Sequence, residues 1–424
     1  MSRSLTLALG LILSTGGMAS AADITLRYMS WDPTQLEKER PAIAAFEAAH
    51  PGVHIQAQAL PPSDYWPRVS AMAAAKDLPD VMMMSSGYIQ QWVEAGNLVD
   101  LGTHLDEGTL AGYNGNAVAT ARFGNGLFAV PQSWSGPVLF YNKTAFDAAG
   151  VSYPSANWSW ADFLNAARTL TKDTNGDGYP EQWGYWIYGR YAQVDGWVFR
   201  NGGRYLNEAG TALEPNEAAV NALRFLTDLT ITEKVAPRPQ DLQGVRQQDA
   251  FPLGMAAMWV DGSWNISNIR TVAGDSFQWG IAEIPAGPDA TPQTLRSYAW
   301  PDMLAVGSGS KHEELAVAFI RFMTGEGRSP SDFLGGKVPA FDAIAAQEDW
   351  LERNQQPDNK AVLLQIGRQA LYTGFSRSWD AWRGYGASGS AGVNGELDEV
   401  FNGRKSLDDA IASFVAYAND VMKR

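Results

Sequence analysis

Gly254-Met255-Ala256-Ala257-Met258-Trp259-Val260-Asp261-Gly262-Ser263-Trp264-Asn265-Ile266-Ser267-Asn268-Ile269-Arg270 reads as a buried strand that turns sharply into a helix. Met255 to Val260 is an apolar run of strand length, too short to read as a helix. Asp261-Gly262-Ser263 breaks it, and Ser263 is placed as the N-cap of a helix carrying Trp264, Ile266 and Ile269. Such a turn delivers its junction residues to the carboxyl edge of a sheet, where open α/β folds bind ligands against helix amides. Asp261 offers an acceptor there and Trp264 a flat apolar face, which suits a hydroxyl-rich ring. The competing reading is a core tryptophan beside an ordinary turn.

Working outward, the same syntax opens the chain. Ile24 to Met29 alternates as a strand, a helical pattern runs through Leu36, Ile43 and Phe46, and Val53 to Ala59 alternates again. Pro41 is expected to kink that helix or to mark its start. Tyr65 to Lys76 reads as a second helix and Asp80 to Met84 as a buried strand opening at Ser85-Ser86. Strand, helix, strand, helix, strand predicts an α/β fold with a parallel, doubly wound sheet.

Composition narrows the function. A chain of 424 residues, at roughly 100–200 per domain, implies at least two domains. Met1 to Ala22 reads as a secretory signal peptide: Arg3, then apolar Leu5 to Leu13, then a small-residue cleavage site at Ala19-Ser20-Ala21-Ala22. With no cysteine, disulfides, thiolate catalysis and acyl anchoring are not expected, and export without disulfides fits a bacterial envelope compartment. A net charge of −14 argues against nucleic acid and anionic membrane as partners. Sixteen tryptophans and fifteen tyrosines exceed what a core needs and point to a stacking surface. His50 and His54 are separated by Pro51-Gly52, which prevents a shared helical face for zinc. There is no Gly-x-Ser-x-Gly elbow and no Walker loop. Carboxylates are plentiful, so a glycosidase-like pair stays open.

Trp31-Asp32, Phe46-Glu47-Ala48-Ala49-His50-Pro51-Gly52-Val53, Leu78-Pro79-Asp80-Val81, Gly126 to Pro131 and Leu139 to Lys143 occur in an order that resembles the solute-binding proteins of carbohydrate ABC transporters, the family that includes the maltose-binding proteins. The likeness continues through Trp160 to Phe163, Asn201-Gly202-Gly203, Met255 to Trp264, Glu314 to Met323 and the last helix. It implies a type II periplasmic-binding-protein fold: two doubly wound α/β lobes joined by hinge crossovers. Lobe 1 is expected at residues 23–133 and 291–336, and lobe 2 at 134–290 and 337–424. The implied protein is a periplasmic monomer that closes on a sugar and presents it to a membrane permease, without catalysis, required cofactor or membrane insertion.

Carried over residue by residue, the resemblance places Trp31, Asp32, Tyr65, Ser85, Ser86, Gln132, Trp134, Trp197, Asp261, Trp264, Trp300 and Arg377 at the ligand. Trp379 and Trp382 lie just beyond Arg377. The expected ligand is a neutral sugar or glycoside. The alternatives are an anionic glycoside or glycerol phosphodiester held by Arg204, Arg377 or Arg383, or a secreted glycan-degrading enzyme or lectin. Asp173-Thr174-Asn175-Gly176-Asp177-Gly178-Tyr179-Pro180-Glu181-Gln182 begins like an EF-hand loop, but Gly184 stands where its last ligand belongs. In some relatives a loop of this kind holds a structural calcium. Here that would fall to the side chains of Asp173, Asn175, Asp177 and Glu181 with the Tyr179 carbonyl; the competing reading is an Asx-rich turn.

Overall fold

A computed structural model describes residues 23–423 except 243, 334, 372–375, 377 and 385–390. The expected signal peptide and Arg377 therefore lie outside the described residues.

The Ile24–Ser30 strand ends where Asp32 takes over as the cap of the Pro33–Ala49 helix, its Oδ1 accepting from the Gln35 amide at 2.9 Å. Pro33 fits the first helical turn, where its missing N–H costs nothing. Pro41 neither starts nor ends this helix, which runs through it. Val53–Ala59 returns parallel to Ile24–Ser30, and Val81–Ser85 lies parallel on the other side. Beyond this point the expected parallel pairing gives way. Trp300–Val306 inserts antiparallel between Val81–Ser85 and Val130–Ser135, and Val338–Pro339 adds an antiparallel edge, completing a six-stranded mixed sheet. Its core contains Tyr28, Met82, Met83, Leu304, Phe319 and Ile320.

The second lobe is organised on three antiparallel strands, with Pro137–Asn142 between Met258–Gly262 and Trp279–Ala282. Parallel bridges from Trp183 to Ala256 and from Trp186 to Trp259 extend this sheet. The Tyr191–Arg200 helix lies against it, with all ten residues buried. The Leu407–Val421 helix is scaffold, capped by Ser406 and buried through Leu407, Ala410, Phe414 and Ala418. No helix among the described residues is long and apolar enough to cross a membrane.

The chain passes between sheets at Gly136, returns before Trp300 and leaves again through residues 336–340, which carry the Val338–Pro339 edge strand. The first and last of these crossings meet at Ser263. Its amide donates to the Gly136 carbonyl at 2.8 Å, and its Oγ to the Gly336 carbonyl at 2.6 Å. Ser263 is thus not the helix cap expected from the sequence; its hydroxyl ties two crossovers instead. A β-carbon on Gly336 would sit 1.6 Å from the Ser263 carbonyl oxygen, and one on Gly136 2.7 Å from that of Tyr298 on the remaining crossing. Only glycine permits such approach.

Candidate functional site

Between the lobes lies a cleft of about 720 Å³, within the usual range for small-molecule sites. The first lobe lines it with Trp31, Trp66 and Tyr88, delivered by the end of Ile24–Ser30, the Pro62–Ala74 helix and the turn after Val81–Ser85. Trp66 and Tyr88 stack at 3.7 Å and 9°, while Trp31 leans on Trp66 at 5.6 Å. The second lobe brings Tyr191, Trp264 and Trp379, and Trp300 arrives from a crossing. Tyr191 meets Trp300 at 5.1 Å and Trp379 at 5.3 Å, both edge to face. Trp264 lies 5.3 Å from Trp300. Aromatic walls supply broad apolar contact with little rotamer entropy to lose.

Charge enters this wall in two sets. Lys337 places Nζ 3.0 Å from Asp32 Oδ2 and 3.2 Å from Asp302 Oδ2. Asp302 is set beside Ser85 by the strand register, at an irregularity between Asp302 and Met303; such bulges re-aim side chains at sites. Burial opposes the Lys337 charge, but the two carboxylates outweigh it and hold its pKa above the ordinary lysine value. Asp32 sits below the usual carboxylate value because Lys337 and the Gln35 and Thr34 amides overcome its burial. For Asp302 burial wins and the pKa rises. On the opposite wall Arg190 lies 5.6 Å from the Tyr191 ring and 5.7 Å from that of Trp264. Asp261 backs it at 3.5 Å and the Tyr188 hydroxyl accepts from it at 3.2 Å. Burial opposes its charge too, yet Asp261 raises its pKa well above the usual value.

Of the residues expected at the ligand, Trp31, Asp32, Ser85, Trp264 and Trp300 line the cleft. Six do not. Asp261 is fully buried behind Arg190, with Oδ1 accepting from the Gly262 amide at 2.6 Å, so it backs a residue of the cleft lining instead of lining it. Tyr65 is buried beneath Trp31, its hydroxyl donating to the Met83 carbonyl at 2.7 Å. Ser86 and Gln132 are buried outside the lining. Trp134 packs against Gly367 in the core of the second lobe. Trp197 belongs to the core with Phe163 and Phe225, and its indole donates to the Tyr185 hydroxyl at 3.0 Å. Arg383 is buried on Asp195 at 2.6 Å, and Arg204 lies on the surface near Glu208; neither reaches the cleft. The residues the sequence reading missed are Trp66, Tyr88, Arg190, Tyr191, Asp302 and Lys337. Arg190 directly precedes the Tyr191–Arg200 helix, whose Gln193 donates to Asp261 behind it at 3.3 Å, and nothing in the sequence marks that meeting.

The Asp173–Glu181 loop is closed by its own amides. Asp173 accepts from Gly176 and Gly178, Asn175 from Asp177, and Asp177 from Tyr179, while Glu181 takes the Thr174 amide at 2.7 Å. Among the described residues no three His, Cys, Asp or Glu side chains lie together as a metal cage.

Two lobes pinned at shared crossovers, meeting over an aromatic cleft with paired charges, define a ligand-capturing binding protein. The model of the bacterial extracellular solute-binding proteins matches residues 32–328, and the chain belongs to that family. Among its relatives, a protein named as a binding protein in Brucella abortus (strain 2308) is 21% identical over 316 residues, 74% of each chain. The sn-glycerol-3-phosphate-binding periplasmic protein of Escherichia coli (strain K12) is 24% identical over 311 residues, covering 70% of this chain and 68% of that one. Among solved structures, an ABC substrate-binding protein from Listeria monocytogenes in complex with cycloalternan is similar in fold. It has a TM-score of 0.81 and 24% identity over 95% of this chain and 99% of that one.

Proposed function

We propose that this protein captures a sugar or glycoside in the bacterial periplasm and delivers it to the permease of an ABC importer. The observation that carries this reading is the pair of aromatic walls, Trp31, Trp66 and Tyr88 against Tyr191, Trp264 and Trp379, with carboxylates between them. Stacked C–H faces and hydroxyls donating to carboxylates are what a pyranose ring presents to such walls. The cycloalternan complex of the Listeria relative supports the same ligand class. Catalysis is not part of the reading: the family is one of solute-binding proteins, and Lys337 lies against both cleft carboxylates.

The test is a thermal-shift and tryptophan-fluorescence screen against neutral mono- to oligosaccharides, including maltotriose and cyclic glucans. Saturable one-site binding without release of reducing ends is the expected result. Binding by none of them, or hydrolysis, refutes the reading. The E. coli relative named for sn-glycerol 3-phosphate makes that compound the comparison ligand.

We also propose that the Asp173–Glu181 loop takes a structural calcium. Gly176 and Gly178, at φ 77° and 85°, let the loop curl, and an ionised carboxylate that accepts one or two amides, as Asp173 and Asp177 do here, keeps lone pairs to spare.

A further inference from the structure

The charged groups of the cleft form closed sets. Among the described residues lining it, Lys337 and Arg190 are the cations. Lys337 is shared by Asp32 and Asp302 at 3.0 and 3.2 Å. Arg190 is 3.5 Å from Asp261, whose side chain is wholly buried and accepts in addition from the Gly262 amide. Three carboxylates therefore stand over two cations. Asp32 divides its oxygens between the Gln35 amide and Lys337. Asp302 meets Lys337 through Oδ2 alone, so Oδ1 is left to accept from a guest. An ammonium has three N–H donors, two of which face these carboxylates.

We propose that this arrangement makes the cleft turn away anions, and that Asp302, sharing Lys337 with Asp32, is the residue that sets the preference. The proposal rests on the reading of the cleft as a site for a polyhydroxylated solute, and it names which members of that class are admitted. A hydroxyl entering beside Lys337 donates to Asp302 Oδ1 and accepts the third ammonium proton, so nothing is left unpaired. A phosphate or uronate in the same place must share Lys337 with two carboxylates already in contact with it. Like charges brought together in a partly dry cleft are strongly disfavoured. On the facing wall the Arg190 charge is offset by Asp261 at 3.5 Å, so that side of the cleft adds little net positive charge. Asp302 is thus a specificity-determining residue, and Lys337 keeps the two carboxylates close enough to act together.

Two measurements test this, both at low ionic strength, where exposed charges are least screened. The first needs no ligand: tryptophan quenching by iodide, caesium and acrylamide, with total salt matched by potassium chloride. The expected result is that caesium quenches the cleft tryptophans in preference to iodide, and that Asp302→Asn raises iodide quenching while leaving acrylamide quenching unchanged. Asp32→Asn, which keeps a capping side chain, shifts iodide in the same direction and serves if the first variant fails to fold. The second is calorimetry with sn-glycerol 3-phosphate and with glucuronate against glucose. Neither anion should saturate the wild type, and Asp302→Asn should tighten both by about tenfold or more, as removal of one nearby like charge implies. Saturable binding of either anion by the wild type, or iodide access indifferent to both substitutions, overturns the proposal. The failures are separable. If iodide is excluded through Asp302 but no sugar of the screen binds, the charge preference stands and the sugar reading falls. If sugars bind and iodide enters freely, the reverse holds.

Discussion

Truncating Trp264 to alanine separates a ligand-contacting wall from a merely structural one. The indole is half-buried, 5.3 Å from Trp300 and 5.7 Å from the Arg190 guanidinium, with its remaining surface in the cleft. If a sugar face covers about a quarter of the 150–250 Å² an aromatic can bury, roughly 50 Å² is at stake. At about 25 cal/mol per Å² that is about 1.3 kcal/mol, and the stacking geometry adds about 0.5–1.5 kcal/mol. Together these predict a loss of about 2–3 kcal/mol, a roughly 30- to 150-fold rise in Kd. Folding should lose the contacts with Trp300, Tyr191 and Arg190, about 1–2 kcal/mol. Calorimetry with the tightest sugar from the screen, beside a urea melt of the same variant, reads both numbers. An unchanged Kd in a folded variant would refute the reasoning and return Trp264 to the core.

Three further outcomes are expected. Trp197→Ala should cost about 3–5 kcal/mol of stability by emptying a fully buried site, and a urea midpoint equal to wild type would contradict its core assignment. Lys360 lies 4.3 Å from the Trp350 ring, donating to the Trp350 carbonyl at 2.6 Å and to Glu352 at 2.8 Å, with Arg270 also on Glu352. Burial, only partly offset by Glu352, lowers its pKa to about 8. Between pH 8 and its unfolded value of 10.5 the unfolded chain holds the extra proton, so wild-type stability should rise with pH relative to Lys360→Met. A stability difference that stays flat or falls over that window counts against it. Calcium added to chelator-stripped protein should give saturable heat and, at about a hundred times Kd, about 2.7 kcal/mol of stabilisation; no heat and no change in Tm would leave the 173–181 loop an Asx turn.

What the sequence made legible is local. The strand-turn-helix units at Ile24–Ala49 and Met258–Ala273 followed from apolar runs ended by capping and turn residues. Trp31, Asp32 and Trp264 sit at those junctions, and they do line the cleft. What escaped depends on which distant segments meet. Lys337 reaches Asp32 across 305 positions, and no periodicity around either residue announces the pairing. The resemblance places Trp197, ahead of Asn201-Gly202-Gly203, at the ligand, yet its helix is buried on every side, which erases the amphipathic pattern that would have assigned it to the core. Asp261 was read at the right edge but on the wrong face: the side chain turns inward to Arg190, and its neighbour two residues on takes the tie to the crossovers.

That tie has a mechanical consequence. With Gly136 and Gly336 held against Tyr298 and Ser263 where no β-carbon fits, and Ser263 bonded to both glycines, the fulcrum for any turning of one lobe on the other lies at this point. Trp264 and Lys337 each directly follow a member of the lock, one on either side of the cleft. They form the short arms of a lever whose long arms are the rims near Pro62 and Thr271, so a small rotation at the pivot becomes a wide stroke at the mouth.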